Sequence, residues 1–168
     1  MSTHPRARVS RLALVAAFTA LVTLGGGSLA NPAPANAGTA ETMEAYLLKW
    51  INNARVHRGV PKLALRTRLI DLAGDRAGAM ASKNDLYHAN CLACLLRNRG
   101  VSFKRCGEVI AFTTYPWGYD AARSIFKGWR GSSTHWGILM SRSYNRIGIG
   151  VAYRKSNGST WASAILAG

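Results

Sequence analysis

Acidic residues are scarce in this chain: seven Asp and Glu stand against 22 Lys and Arg in 168 residues, a formal net charge of +15. Such a balance favours anionic polymers as partners, among them cell-wall phosphates, acidic glycans and lipid headgroups. The basic residues are scattered from Arg55 to Lys155 and mark no single basic stripe, so nucleic acid is not the expected partner. Cysteine is sparse too. Cys91, Cys94 and Cys106 are odd in number, which excludes complete pairing within one chain. Beyond Leu24 no apolar run is long enough to span a bilayer, and no heptad or internal repeat is visible. His-Glu-x-x-His and Gly-x-Ser-x-Gly are both absent, which removes the simplest zinc-peptidase and serine-hydrolase readings.

The first 37 residues read as a secretory signal peptide. Arg6, Arg8 and Arg11 give a basic start, Leu12 to Leu24 an apolar run, and Ser28-Leu29-Ala30 or Ala35-Asn36-Ala37 a small-residue cleavage site. Cleavage after Ala37 leaves residues 38–168 as one expected domain. It also lowers the basic count from 22 to 19 against seven acids, a formal +12. A monomer in the extracellular or cell-envelope space is expected.

Within 38–168 the apolar period is first helical. Thr39 is a suitable cap for a helix carrying Glu41 and Glu44 early and Met43, Leu47, Trp50 and Ala54 on one face. Arg55, His57 and Arg58 then suit its C-terminal dipole, and Gly59 its stop. Thr67 opens a second helix with Leu69, Ala73, Ala77 and Met80 on one face, small enough at its centre for close approach of another element, ending near Asn84-Asp85. A short helix around Leu92, Leu95 and Leu96 stops at Gly100. Another is capped by Asp120, with Ala122, Ile125, Phe126 and Trp129 inward, and residues 132–140 add a helical turn. The period then falls to two: Ile147, Ile149, Val151 and Tyr153 alternate with Gly148, Gly150, Ala152 and Arg154. Asn157-Gly158 predicts a tight turn with positive φ angles before a return strand over 160–166. With Val109 to Phe112 as a further strand, the pattern is a small sheet covered by helices.

His88, Glu108 and His135 are the candidate site. Two imidazoles and a carboxylate suit zinc or another divalent cation with a position left for water, or a metal-free acid–base pair. No motif implies an organic cofactor. In an exported chain, Cys106 is expected to form a disulfide with Cys91 or Cys94. The competing reading is a structural zinc site made by His88, Cys91, Cys94 and Cys106. The hydroxyls of Ser132, Ser133 and Thr134 read as helix caps rather than nucleophiles, and Trp50, Trp129, Trp136 and Trp161 as core.

The order of these features resembles the CAP superfamily of cysteine-rich secretory, antigen 5 and pathogenesis-related 1 proteins, in a compact bacterial form. Ile51-Asn52-Asn53-Ala54-Arg55 and Gly59-Val60-Pro61-Lys62-Leu63 look like its opening helix and exit, and Gly107-Glu108-Val109-Ile110-Ala111 its Gly-Glu-Asn-Ile-Ala segment. Trp129, Ser132, His135 and Leu139 occupy its Trp-x-x-Ser-x-x-His-x-x-x-Leu pattern, and His88 its first histidine. The resemblance implies an α/β/α sandwich, a three-layer α/β fold with a small, mainly antiparallel sheet. It also implies that His88, Glu108 and His135 line one cleft able to take a divalent metal. The function it implies is a secreted module that binds a lipid, glycan or protein. The alternative is a metal-dependent, peptidase-like hydrolase using the same three residues as candidate catalytic groups.

Overall fold

The computed structural model describes residues 39–168; the expected signal peptide lies outside them. Helix α1 (Ala40–His57) is started by the Thr39 hydroxyl, which accepts the Thr42 N–H at 3.3 Å. Its buried stripe is Met43, Leu47, Ile51 and Arg55 rather than one passing through Trp50 and Ala54. Trp50 lies to the side, stacked on Tyr46 at 5.5 Å and edge-on to Tyr119.

The stripe can end in a cation because Arg55 donates four hydrogen bonds to backbone carbonyls. Its Nε donates to the Pro61 carbonyl at 2.7 Å, Nη1 to Leu139 and Ser141 at 2.6 and 3.0 Å, and Nη2 to Tyr144 at 3.0 Å. His57 and Arg58 remain exposed, but Arg55 turns inward, since four carbonyl dipoles replace the water that burial removes. It thereby ties the exit of α1 to residues 139–144.

Strand β1 (Ala64–Leu65) leads into α2 (Thr67–Lys83), which stops at Asn84 in the left-handed conformation, φ 54°. Helix α3 (Leu92–Asn98) precedes β2 (Cys106–Thr113). Helices α4 (Tyr119–Gly131) and α5 (Ser133–Leu139) precede the hairpin of β3 (Arg146–Arg154) and β4 (Ser159–Ala167). In the hairpin, Arg154 pairs with Ser159, and Gly158 takes φ 69° while Asn157 keeps a negative φ. The connection is therefore a four-residue loop rather than a two-residue turn. Asn157 serves it through its side chain, Oδ1 accepting from Ser159 N at 3.2 Å and Oγ at 2.6 Å.

The sheet order is β1-β3-β4-β2, with β1 parallel to β3 and the other pairs antiparallel. Alternation along the strands divides the core. Val109, Ile147, Ile149, Ala162, Ala164 and Leu166 face the layer of α1 and α4, with Leu47, Ile125 and Trp129. Ile165 and Ala167 face α2 and α3, with Leu69, Leu72, Ala73 and Leu96. The result is the expected α/β/α sandwich, with β4 buried along its whole length and β2 at the end of the sheet.

Glu44 gives this packing a pH signature. Its carboxylate accepts the Val151 N–H at 3.3 Å on β3, beyond the point where β1 stops. Partial burial pushes the acid up to about 7; the Val151 hydrogen bond opposes the shift and nearby Glu41 adds to it. A carboxyl raised on folding contributes stability that is fully present below its ordinary value near 4.5 and is lost as pH rises towards 7. The urea midpoint is therefore expected to fall less over that interval in Glu44→Gln than in the unmodified protein. Parallel curves for the two proteins would contradict the assignment.

Candidate functional site

Glu108 sits near the start of β2, on the face that looks towards α2, while its neighbour Val109 enters the opposite core. Its side chain is 4% exposed, and both carboxylate oxygens are hydrogen-bonded. Arg76, on the buried face of α2, donates Nε to Oε1 at 2.8 Å. On Oε2 converge the Ala89 N–H at 3.0 Å and His88 Nδ1 at 2.9 Å. Burial alone pushes the Glu108 carboxyl up; the hydrogen bonds from Arg76, Ala89 and His88, with the Arg76 charge, outweigh it and hold it below the usual carboxylate range. An ionised carboxylate only accepts, so Nδ1 of His88 is a donor to Glu108 and Nε2 is the ring nitrogen that Glu108 does not engage.

Arg76 also donates Nη2 to the Tyr87 carbonyl and lies over the Tyr87 ring, 4.9 Å from its centroid. One guanidinium thus fixes both the acid and the loop that presents His88. Sequence reading passed over Arg76; the available signal was a cation among the small apolar residues of the α2 stripe, three residues after Ala73 and four before Met80.

His135 approaches from α5. Of the three hydroxyls read as caps, Ser132 caps that helix, its Oγ accepting the His135 N–H at 3.3 Å, while Ser133 and Thr134 lie within it. The His135 and His88 rings lie 6.4 Å apart between centroids, at 55°. Burial, and secondarily the charge of His88, hold His135 below the ordinary imidazole value, so it is neutral and its lone pair is available at neutral pH. Gly107 makes the approach of this layer possible: a Cβ there would lie 2.9 Å from Tyr144 Oη and 3.1 Å from Ile138 Cγ2.

The three predicted residues therefore converge, but in unequal roles. The two imidazoles are neighbours, whereas Glu108 is committed to Arg76, Ala89 and His88. Among the described residues no group of three His, Cys, Asp or Glu side chains is arranged to hold a metal. A cation would meet two imidazole nitrogens with Glu108 behind one of them, the outer-carboxylate arrangement that orients a ligating histidine.

The cysteine expectation is corrected. Cys91 is joined to Cys94, not to Cys106, with Cα atoms 5.2 Å apart. Cys91 and Cys94 are exposed at the start of α3, whereas Cys106 is partly buried and packs against the cluster of Leu69, Leu72, Ala73, Leu96, Ile165 and Ala167. Burial pushes the Cys106 thiol up, against an opposing effect of Arg97. With two sulfurs oxidised, the Cys/His structural zinc site has lost its thiolates.

An α/β/α sandwich presenting a histidine pair beside an edge-strand Gly-Glu defines a CAP-type domain. The sequence profile of the Cysteine-rich secretory protein family (CAP) matches residues 48–165, and the chain belongs to this family. Its fold is similar to that of an extracellular protein containing an SCP domain from Bacillus anthracis. The identity is 20% and the TM-score 0.64, over 76% of this chain and 41% of that one. A cysteine-rich secretory protein from Staphylococcus aureus is similar at 17% identity and TM-score 0.62, over 77% and 39% of the two chains. An outer surface protein of Borrelia burgdorferi shares 15% identity at TM-score 0.66, over 74% and 91%. The chain thus spans about two fifths of the first two structures. Comparison with curated protein sequences found no match. No helix among the described residues is long and apolar enough to cross a membrane.

Proposed function

We propose that the protein is an exported CAP-domain binding module, non-enzymatic, held near anionic envelope polymers by its cationic surface. Its cleft offers His88 and His135 to a divalent cation such as zinc. The observation that carries this reading is the division of labour around Glu108. A carboxylate that is buried, ionised and held by three hydrogen bonds orients His88 well and activates water poorly. The two imidazoles would hold the ion, which when bound would supply a positive centre for an anionic group of a ligand. The metal-dependent hydrolase remains the alternative, but it requires Glu108 to abandon Arg76 before serving as third ligand or base. The extracellular and outer-surface relatives support an exported location for this chain as well.

Zinc titration by calorimetry tests the reading. His88→Ala and His135→Ala are each expected to abolish binding, while Glu108→Gln, which keeps a weaker acceptor at Nδ1, is expected to weaken it about 10–100-fold. Unchanged zinc affinity in both histidine variants would remove the cleft from the proposal. Zinc-dependent peptide cleavage lost in Glu108→Gln, with folding intact, would favour the hydrolase.

A further inference from the structure

The Cys91–Cys94 bridge has no part in the reading above, and its position argues for chemistry rather than bracing. It closes over Leu92 and Ala93 alone. A ring this short removes little freedom from the unfolded chain and ties no distant elements together, so as a structural staple it is weak. Both cysteines are exposed, the opposite of the sheltered setting that protects a structural disulfide. Beside them opens a cavity of about 430 Å³, bordered by Arg76, Lys83, Asp85, Tyr87 and the two cysteines, into which another chain could bring a sulfur. The two sulfurs also differ: the Cys94 N–H is directed at Cys91 Sγ, 3.2 Å away, a donor in place for negative charge on Cys91.

We propose that Cys91–Cys94 is a thiol–disulfide exchange site whose substrate is an exposed dithiol on another polypeptide outside the cytoplasm. A substrate thiolate attacks Cys91 Sγ, the Cys91–Cys94 bond breaks, and Cys94 leaves as a thiolate that takes up a proton. The second substrate thiolate then attacks the substrate sulfur of the mixed disulfide and expels Cys91 as a thiolate beside the Cys94 N–H, and this thiolate takes up the second proton. The substrate loses two electrons and two protons and becomes a disulfide; Cys91 and Cys94 become a dithiol. The inference does not depend on the metal reading.

Cys106→Ser supplies a background in which thiol counts report only the pair. Equilibrated with graded mixtures of reduced and oxidised glutathione, then alkylated and weighed, this protein is expected to pass from no free thiol to two while its circular dichroism stays native. A dithiol peptide carrying a fluorophore is expected to be oxidised at least about tenfold faster by this protein than by the same concentration of oxidised glutathione. Adding Cys94→Ser leaves Cys91 alone, which should capture one glutathionyl group from oxidised glutathione about tenfold faster than does Cys94 in the Cys91→Ser counterpart. A pair that opens only when the protein unfolds would overturn the proposal. So would a peptide oxidised no faster than by glutathione, or equal capture by the two single cysteines.

Discussion

Replacing Gly150 with alanine is expected to destabilise the protein by about 3–5 kcal/mol, a large part of what a domain of this size has to lose. The reason is backbone against backbone. A Cβ on Gly150 would lie 2.1 Å from Gly74 N and 2.4 Å from the Ala73 carbonyl carbon, and one on Gly148 would lie 2.0 Å from the Leu69 carbonyl carbon. No rotamer change relieves such contacts, because the atoms met belong to the α2 main chain; the helix has to lift from the sheet, opening the core beneath Leu69, Leu72 and Ala73. Gly148→Ala is expected to behave alike. Gly74→Ala is the control: its added methyl meets nothing within 4 Å, and alanine is the better helix former by about 1 kcal/mol, so stability should rise. Urea unfolding followed by circular dichroism measures all three. A loss below about 1 kcal/mol in Gly150→Ala would show that α2 does not sit on β3 as described.

The same contact shows how far the sequence was readable. Period two set Gly148 and Gly150 on one face of a strand, and the small residues of α2 announced a helix able to come close, so the pairing of these surfaces was half visible. Helices α1, α2 and α4 followed from apolar spacing and the β3–β4 hairpin from alternation. Strand β1 escaped because two residues have no period; Ala64 and Leu65 become a strand only by pairing with Arg146 and Ile147, eighty residues away. The buried arginines escaped for a different reason. A cation counts as polar in any pattern, and the acceptors that make Arg55 tolerable inside lie at positions 61 and 139–144. The disulfide was misjudged because pairing depends on which side of the chain each sulfur faces. Cys106 shares the α2-facing side of β2 with Glu108, a fact present in the two-residue period but not applied to the cysteines. Convergence of His88, Glu108 and His135 came from the ordered resemblance, since no local spacing unites three residues on a loop, a strand and a helix.

Arg76→Met is expected to destabilise the protein by about 3–5 kcal/mol near neutral pH, because it leaves a carboxylate buried without its cation. The diagnostic is the direction in which pH acts. In the unmodified protein the Glu108 carboxyl is held below its ordinary value of 4.5, so its contribution is present above that pH and is lost as pH falls through the folded value. Without the guanidinium, the Arg76 hydrogen bond and charge that oppose burial are both gone, and the folded value is expected to rise. The stability that Glu108 contributes above 4.5 then shrinks, so less is lost on acidification. Stability of Arg76→Met should therefore recover relative to the unmodified protein on acidification from pH 7 towards 4. Adding Glu108→Gln to Arg76→Met should restore part of the loss at neutral pH, since the amide needs no counter-charge, and the resulting double-mutant cycle isolates the pair. Because Arg76 also holds the Tyr87 carbonyl, the same substitution frees the loop carrying His88, and zinc affinity should fall even where folding is retained. An Arg76→Met protein with unchanged stability and an unchanged pH profile would mean that Glu108 is solvated rather than locked, and the division of labour assigned to the cleft would fail with it.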